Sequence, residues 1–286
     1  MEYVKFGNTG RTVSRIGFGG AVAGLKNYLS SYDPDADESK QEIYRALETA
    51  LEQGITYFDT APGYGEGRSE TFFGEVLGGV DPKSIFLATK LSITDYDGVM
   101  RSVEGSLKRL RRDYVDLLQI HGNSYTDEQF DQICAKGGML DAMEQLKKDG
   151  VIRHTGFTTE DNNRALFDFM NSGRMDMVQM CYNFLFQHPY EPSRPFGSLY
   201  EARKNGLGVA TMRAPTSGTF QRWMKMIRPD DNFDYSEALI QFVLSNPMVD
   251  VVLIGMRSRK RVLENVAIVG RKEGRVNIDD VHTRYV

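Results

Sequence analysis

Four polar side chains stand where separate apolar runs end. Ile55-Thr56-Tyr57-Phe58 leads into Asp59, and Tyr64 follows one short turn later. Ile85-Phe86-Leu87-Ala88-Thr89 leads into Lys90, and Tyr114-Val115-Asp116-Leu117-Leu118-Gln119-Ile120 leads into His121. If these runs are parallel strands of one barrel, their carboxyl ends share one mouth, where catalytic groups of such barrels lie. A carboxylate, a phenol, an ammonium and an imidazole meeting there suit the reduction of a carbonyl. That reaction needs a hydride from an external donor and a proton for the developing alkoxide. Tyrosine can give the proton, although its ordinary pKa of about 10 is high for the task. The Lys90 ammonium beside it favours the phenolate and lowers that value. Asp59 pairs with Lys90 in this reading and keeps it charged. His121 hydrogen-bonds the carbonyl oxygen, polarising and orienting it.

Taken singly, each residue has a plain structural explanation. Asp59 can cap a turn, Tyr64 can be a loop aromatic, Lys90 a solvated charge and His121 a satisfied structural histidine. Four such explanations at one mouth would all have to hold at once. The catalytic reading needs only one arrangement. His154, His188 and His282 read as structural or surface residues. No H-x-x-x-H or carboxylate–histidine spacing points to a metal, so none is expected.

The elements that must position these residues alternate along the chain. Strands are expected at 15–18, 55–59, 84–90, 114–121, 153–158, 177–182, 208–213 and 249–255. Helices are expected at 38–53, 69–77, 97–111, 140–149, 161–170, 195–204, 235–244 and 258–269. Met139, Met143 and Leu146 recur at helical spacing. Gly54, Gly150 and Gly206 each follow a helix, where a left-handed residue ends one cheaply. Eight strand–helix pairs predict an α/β fold with a parallel sheet closed into a (β/α)8 barrel. A doubly wound open sheet is the structural alternative. Residues 3–14, with Gly7-Asn8-Thr9-Gly10 between two short runs, read as a β-hairpin plugging the barrel bottom. No repeat or linker marks a second domain, so residues 1–286 read as one barrel domain; the short proline-rich stretch at 189–195 reads as a loop.

Composition narrows the function classes. The chain has 286 residues, 41% hydrophobic and 26% charged, which suits one packed enzyme-sized domain. Its net charge of −4 and lack of a long basic run argue against a nucleic-acid surface. Cys134 and Cys181 form no C-x-x-C unit and read as free structural thiols. No signal peptide and no bilayer-spanning stretch is legible, so a cytoplasmic protein without membrane contact is expected.

The stretch Gly54-Ile55-Thr56-Tyr57-Phe58-Asp59-Thr60-Ala61-Pro62-Gly63-Tyr64-Gly65, with Lys90 and His121 at neighbouring strand ends, resembles the aldo-keto reductase family. The resemblance runs from the hairpin to Asn265. Gly156, Gln179, Arg261, Glu264 and Asn265 extend it. It implies an NADPH-dependent oxidoreductase that reduces an aldehyde, ketone or sugar carbonyl to an alcohol. Tyr64 would be the proton donor, Lys90 and Asp59 its tuners, and His121 the orienting partner. A sugar or alcohol dehydrogenase using NAD+ on the same residues is the second reading, with NADH as the other possible cofactor. A cofactor-binding regulatory subunit with little turnover is the third.

The same resemblance implies a nicotinamide dinucleotide bound without a Rossmann fold. Gly17-Phe18-Gly19-Gly20-Ala21 lacks the third glycine of the dinucleotide fingerprint. Gly20 and Ala21 suit a strand-end loop at the nicotinamide ribose instead. Gln179 matches the residue that holds the carboxamide. In the loop after strand seven, Ala214, Thr216, Ser217 and Gly218 offer amides and hydroxyls for the pyrophosphate. Gly255, Arg257, Ser258 and Arg261 lie at a helix start suited to phosphate. The arginines there favour NADPH, since guanidinium forks bind a 2′-phosphate. Glu264 and Asn265 match positions that bond adenine.

Two departures from the family pattern stand out. Thr158-Thr159 replaces the usual Ser-Asn after strand five, leaving only hydroxyls for the carboxamide. Met212 or Arg213 falls where many members stack an aromatic on the nicotinamide. The chain also ends soon after the eighth helix, so the loop that closes over substrate in many members looks short. Segments 123–134 and 184–194 and the stretch around Trp223 are expected to complete the pocket, with Tyr125, Phe184, Phe186 and Trp223 lining it.

Overall fold

The structure, a computed structural model, describes residues 1–187, 197–278 and 280. The first two strands, β1 (Tyr3–Lys5) and β2 (Thr12–Ser14), pair antiparallel as a hairpin. Eight parallel strands follow: β3 (Ile16–Gly19), β4 (Tyr57–Asp59), β5 (Phe86–Leu91), β6 (Val115–Ile120), β7 (Ile152–Thr159), β8 (Met177–Cys181), β9 (Gly208–Met212) and β10 (Val251–Gly255). They pair in chain order and close through β10 against β3, so the sheet is a barrel and not an open one.

The helices return the chain over the outside of the barrel. They are α1 (Ala21–Gly24), α2 (Asp37–Glu52), α3 (Arg68–Leu77), α4 (Tyr96–Leu110), α5 (Asp127–Cys134), α6 (Met139–Lys148), α7 (Arg164–Asn171), α8 (Ser198–Lys204), α9 (Thr219–Ile227), α10 (Ser236–Leu244) and α11 (Arg259–Gly270). Most expected elements appear within a few residues of their predicted ends. Gly54, Gly150 and Gly206 all adopt positive φ just after a helix. The helix expected at 161–170 starts later, because the Asn163 side chain caps it by accepting from the Leu166 N–H. Three helices were not foreseen. One is the four-residue α1. Another is α5, which opens with a capping box of Thr126 and Gln129. The third is α9. His188, His282, the 189–195 loop and the start of the 195–204 helix lie outside the described residues.

Barrel strands alternate inward and outward residues with a period of two. The inward residues near the strand starts are apolar: Tyr57, Phe86, Leu117, Met177, Ala210 and Val251 form one buried cluster with Phe6 of the hairpin. The Phe6 ring meets Tyr57 and Phe86 edge-on, at 5.4 and 5.3 Å between centroids. The hairpin therefore fills the amino-terminal end of the barrel. Outward residues such as Phe18, Phe58, Leu118 and Phe157 pack under the helices in the main core. Two residues beyond Tyr57, on the same inward face, comes Asp59. Lys90 and Gln119 face inward for the same reason, and the register pairs them directly. The period that buries apolar residues at one end thus delivers polar ones at the other. Among the described residues no helix is long and apolar enough to cross a membrane.

Candidate active site

At the carboxyl-terminal mouth, Lys90 is fully buried and hydrogen-bonded to Asp59. Its ammonium also donates to the Thr60 carbonyl at 2.9 Å. The other Asp59 oxygen accepts from Gln119 Nε2 at 2.8 Å. Gln119 is a participant that the sequence reading missed. The signal was available, since Gln119 lies on the same inward register as Lys90.

Tyr64 reaches the mouth from a tight loop that Gly65 and Gly67 close with positive φ. The loop packs on α1 so closely that a Cβ on Gly24 would lie 2.2 Å from the Tyr64 carbonyl. Lys90 Nζ lies 4.8 Å from the Tyr64 ring centroid. His121 meets Tyr64 edge-on at 5.5 Å, and its backbone N–H donates to Leu91. The structure therefore brings Asp59, Tyr64, Lys90 and His121 to one point.

The charges follow from burial and neighbours. Burial pushes the Asp59 carboxyl up from its ordinary value, while Lys90 and Gln119 pull it back. Burial by itself would lower Lys90, but Asp59 and then Tyr64 outweigh it, so the ammonium persists. For Tyr64, burial is the largest influence and raises its pKa; Lys90 opposes this, and the balance stays above the ordinary value. The sequence reading expected Lys90 to prevail. In the structure the cation moderates the effect of burial without reversing it, and the phenol keeps its proton at neutral pH.

Burial, with Lys90 adding to it, lowers His121 to about 4. The imidazole is neutral at pH 7. An unfolded histidine titrates near 6.5, so between about 4 and 6.5 the unfolded chain binds the extra proton. Stability rises with pH in that window and is lost as pH falls through it, by on the order of 3 kcal/mol. Denaturant midpoints of wild type and His121→Asn should therefore diverge between pH 7 and pH 4, the wild type losing more. Parallel curves would show that His121 is not buried in its neutral form.

A cavity of about 370 Å3 opens beside these residues. Gly20, Ala21, Thr158, Gln179, Met212, Arg213, Ser217, Gly218 and Gly255 line it, as do Asp59, Tyr64 and His121. Gln179 Oε1 is buried there with no hydrogen-bond partner, while its Nε2 lies 3.6 Å from Met212 Sδ. The Thr158 hydroxyl is occupied: it donates to the Gly122 carbonyl at 2.7 Å and accepts from the Gly122 N–H at 3.0 Å. Thr159 does not line the cavity and bonds Asn123 and Asp161 instead. These hydroxyl protons are spent on loop carbonyls and pin the neighbouring loops. Ala214 is buried, and Thr216 accepts from the Phe220 N–H at the start of α9. Arg213, Thr216 and Ser217 all have positive φ, and strained backbone of this kind gathers at ligand sites.

Beyond the cavity wall lies the start of α11. Ser258 caps it. Arg257 lies over the Tyr32 ring at 4.4 Å and donates to Ser30 at 2.6 Å, while its Nη1 is buried without a partner. Arg261 pairs with Glu264 at 2.9 Å, and Asn265 is buried.

The expected pocket aromatics are elsewhere. Tyr125 is buried, packed edge-on against Phe169, with its hydroxyl bonded to Ile120 and Thr158 carbonyls. Phe184 packs on Phe220 and Phe242, Trp223 meets Phe220 on α9, and Phe186 is exposed; none of the three lines the cavity. Tyr28 and Leu29 line it from the loop after α1, with Asn123, Glu160 and Arg222. That loop follows a strand's carboxyl end, which is the signal that could have found it. Among the described residues no group of three or more His, Cys, Asp or Glu is placed to hold a metal ion.

Comparison with known proteins fixes both the class, an oxidoreductase, and the family. Residues 15–239 match the family model described as aldo/keto reductase family. L-galactose dehydrogenase of Arabidopsis thaliana is 29% identical over 96% of this chain and 89% of its own length. An aldo-keto reductase from Bacillus halodurans, in its holo form, shares the fold with a TM-score of 0.74 at 24% identity, over 96% of this chain and 95% of the other. One from Klebsiella pneumoniae, solved in complex with NADPH, shares it with a TM-score of 0.71 at 21% identity, over 94% and 89%. The chain belongs to the aldo/keto reductase family and is an NAD(P)H-dependent oxidoreductase.

Proposed function

We propose that this enzyme reduces the carbonyl of a small aldehyde, ketone or open-chain sugar with NADPH, Tyr64 giving the proton. The observation that carries this reading is a half-buried Tyr64 phenol, its pKa held above the ordinary value, 4.8 Å from an ammonium that Asp59 holds in place. The nicotinamide, when bound, supplies the hydride. The unpartnered Gln179 Oε1 suits the amide donors of its carboxamide. Thr158 and Thr159 are engaged with loops, so Gln179 carries most of that recognition. Ser217 and Gly218 offer donors to the pyrophosphate, and the free Arg257 Nη1 together with Ser258 and Arg261 to a 2′-phosphate. Glu264 and Asn265 are assigned to adenine.

Tyr64 holds its proton at the hydroxyl until charge develops on the carbonyl oxygen. Lys90 then stabilises the phenolate left behind. Neutral His121 hydrogen-bonds the same oxygen and fixes its position.

One observation favours an NAD+-dependent dehydrogenase instead: Arg261 is already paired with Glu264. Fluorescence titration with NADPH and NADH separates the two readings. Micromolar NADPH binding, weakened by about tenfold or more in Arg261→Ala, is the expected result. Equal or NADH-biased binding, indifferent to Arg261→Ala, would favour the dehydrogenase. Tight binding without turnover of any carbonyl would favour a regulatory subunit, and no binding of either nucleotide would overturn the assignment.

A further inference from the structure

A second concave region lies at the opposite end of the barrel from Tyr64. It sits where β4 to β7 begin, beside the hairpin turn, and forms an open hollow of about 720 Å3. It shares no lining residue with the mouth cavity.

Its charge is one-sided. Arg11, Lys83 and Arg153 line it against one carboxylate, Asp116. Asp116 is buried and already engaged: one oxygen accepts from the Leu87 N–H at 2.9 Å and the other lies 3.3 Å from Arg11 Nη1. Arg11 also donates to the Lys83 and Ile85 carbonyls at 3.2 and 2.7 Å. Arg11 and Asp116 therefore offset each other's charge and tie the hairpin to β5 and β6, while Asp116 Oδ1 has no hydrogen bond.

The Lys83 ammonium and the Arg153 guanidinium make no hydrogen bond or ion pair in that tie. Among the described residues neither has a carboxylate within ion-pair distance. Arg153 rests on the Tyr114 ring, its guanidinium carbon 4.3 Å from the centroid. Such stacking fixes the plane of the fork while leaving its N–H edges for an acceptor. His154 stacks on Phe86 at 6.0 Å between centroids. Burial first of all holds it below the ordinary imidazole value; Asp176 opposes this, and Lys147, Arg11 and Arg153 add to the lowering. His154 is thus neutral at pH 7 and presents ring nitrogens without a charge of its own. The lining carries three positive charges against one negative, in a chain whose net charge is −4.

We propose that this hollow binds a phosphate dianion, free or as the monoester of a small molecule. Arginine forks take phosphate bidentately, and a monoester carries close to two negative charges at pH 7, which matches the excess of positive charge. The volume leaves room for an organic group beside the phosphate.

The test is calorimetric titration of the full chain, its mouth first saturated with NADPH, at low ionic strength, with inorganic phosphate and with glycerol 3-phosphate. One saturable site is expected. Lys83→Ala/Arg153→Ala should weaken it by about tenfold or more while melting with the wild type, since both side chains are exposed. Arg257→Ala, at the other mouth, should leave it unchanged. Equal affinities for the two probes would assign free phosphate, and tighter glycerol phosphate the monoester. Absence of saturable binding, binding that survives in the double variant, or binding lost only in Arg257→Ala would overturn the proposal.

Discussion

Tyr64→Phe is expected to lower kcat for carbonyl reduction by about a thousandfold, the middle of the range for a positioned general acid. NADPH affinity and melting temperature should stay near wild type, because the ring and its contact with His121 remain. The split is diagnostic. A purely structural tyrosine would show its loss in stability, and a cofactor-contacting one in NADPH binding. The pH profile gives a second readout. Burial keeps the Tyr64 phenol protonated above the ordinary tyrosine value, so reduction should be flat through neutral pH and decline only above about 10. Oxidation of the alcohol needs the phenolate and should rise with pH over the same interval. A variant that keeps more than about a tenth of wild-type turnover would remove Tyr64 from the role of proton donor.

The second large effect belongs to Lys90. Lys90→Met leaves the Asp59 carboxylate buried without its cation, with only Gln119 still bonded to it. Breaking one side of a buried pair costs about 3–5 kcal/mol. At about 2–4 °C per kcal/mol for a domain of this size, the melting temperature should fall by roughly 6–20 °C. Lys90→Met/Asp59→Asn should recover most of that loss, since the uncompensated charge is gone and an amide at position 59 can still accept from Gln119. Turnover should recover in neither variant, because the phenolate has lost its counter-charge. Full activity in Lys90→Met would mean that the ammonium serves the fold alone. An unchanged melting temperature would mean that Asp59 sheds its charge at little cost.

The barrel was legible because its strands carry two messages in one period. Apolar runs ending at Asp59, Lys90 and His121 announced both a parallel sheet and a reactive edge. Gln119 escaped notice because it stands one residue before the strand end, where a polar side chain reads as an interruption. Two of the unforeseen helices had signals. Thr126 and Gln129 spell a capping box, and Phe220, Trp223 and Ile227 recur at helical spacing; proline, serine and glycine just before them made that stretch look like a loop. The four residues of α1 are too few to show a period. The cavity lining was harder to read. Whether Thr158 offers its hydroxyl to a ligand depends on how near Gly122 passes, and whether Tyr28 reaches the mouth depends on a loop path. Neither distance is written in local sequence.

The closure of the barrel bears on synthesis. Phe18 pairs with Ile254, and Asn8 bonds Gly206. A ribosome adding about 5–20 residues per second needs roughly 10–50 s to pass from one member of the first pair to the other. Once β4 is made, β3 has that neighbour but keeps an open edge on its other side until β10 arrives, and Phe6 lacks the Gly208 backbone it packs against for most of the interval. An unpaired edge of that kind can recruit other strands. The nascent chain therefore spends most of its time on the ribosome as an unsealed sheet, and the step that assembles the complete mouth is among the last to become available.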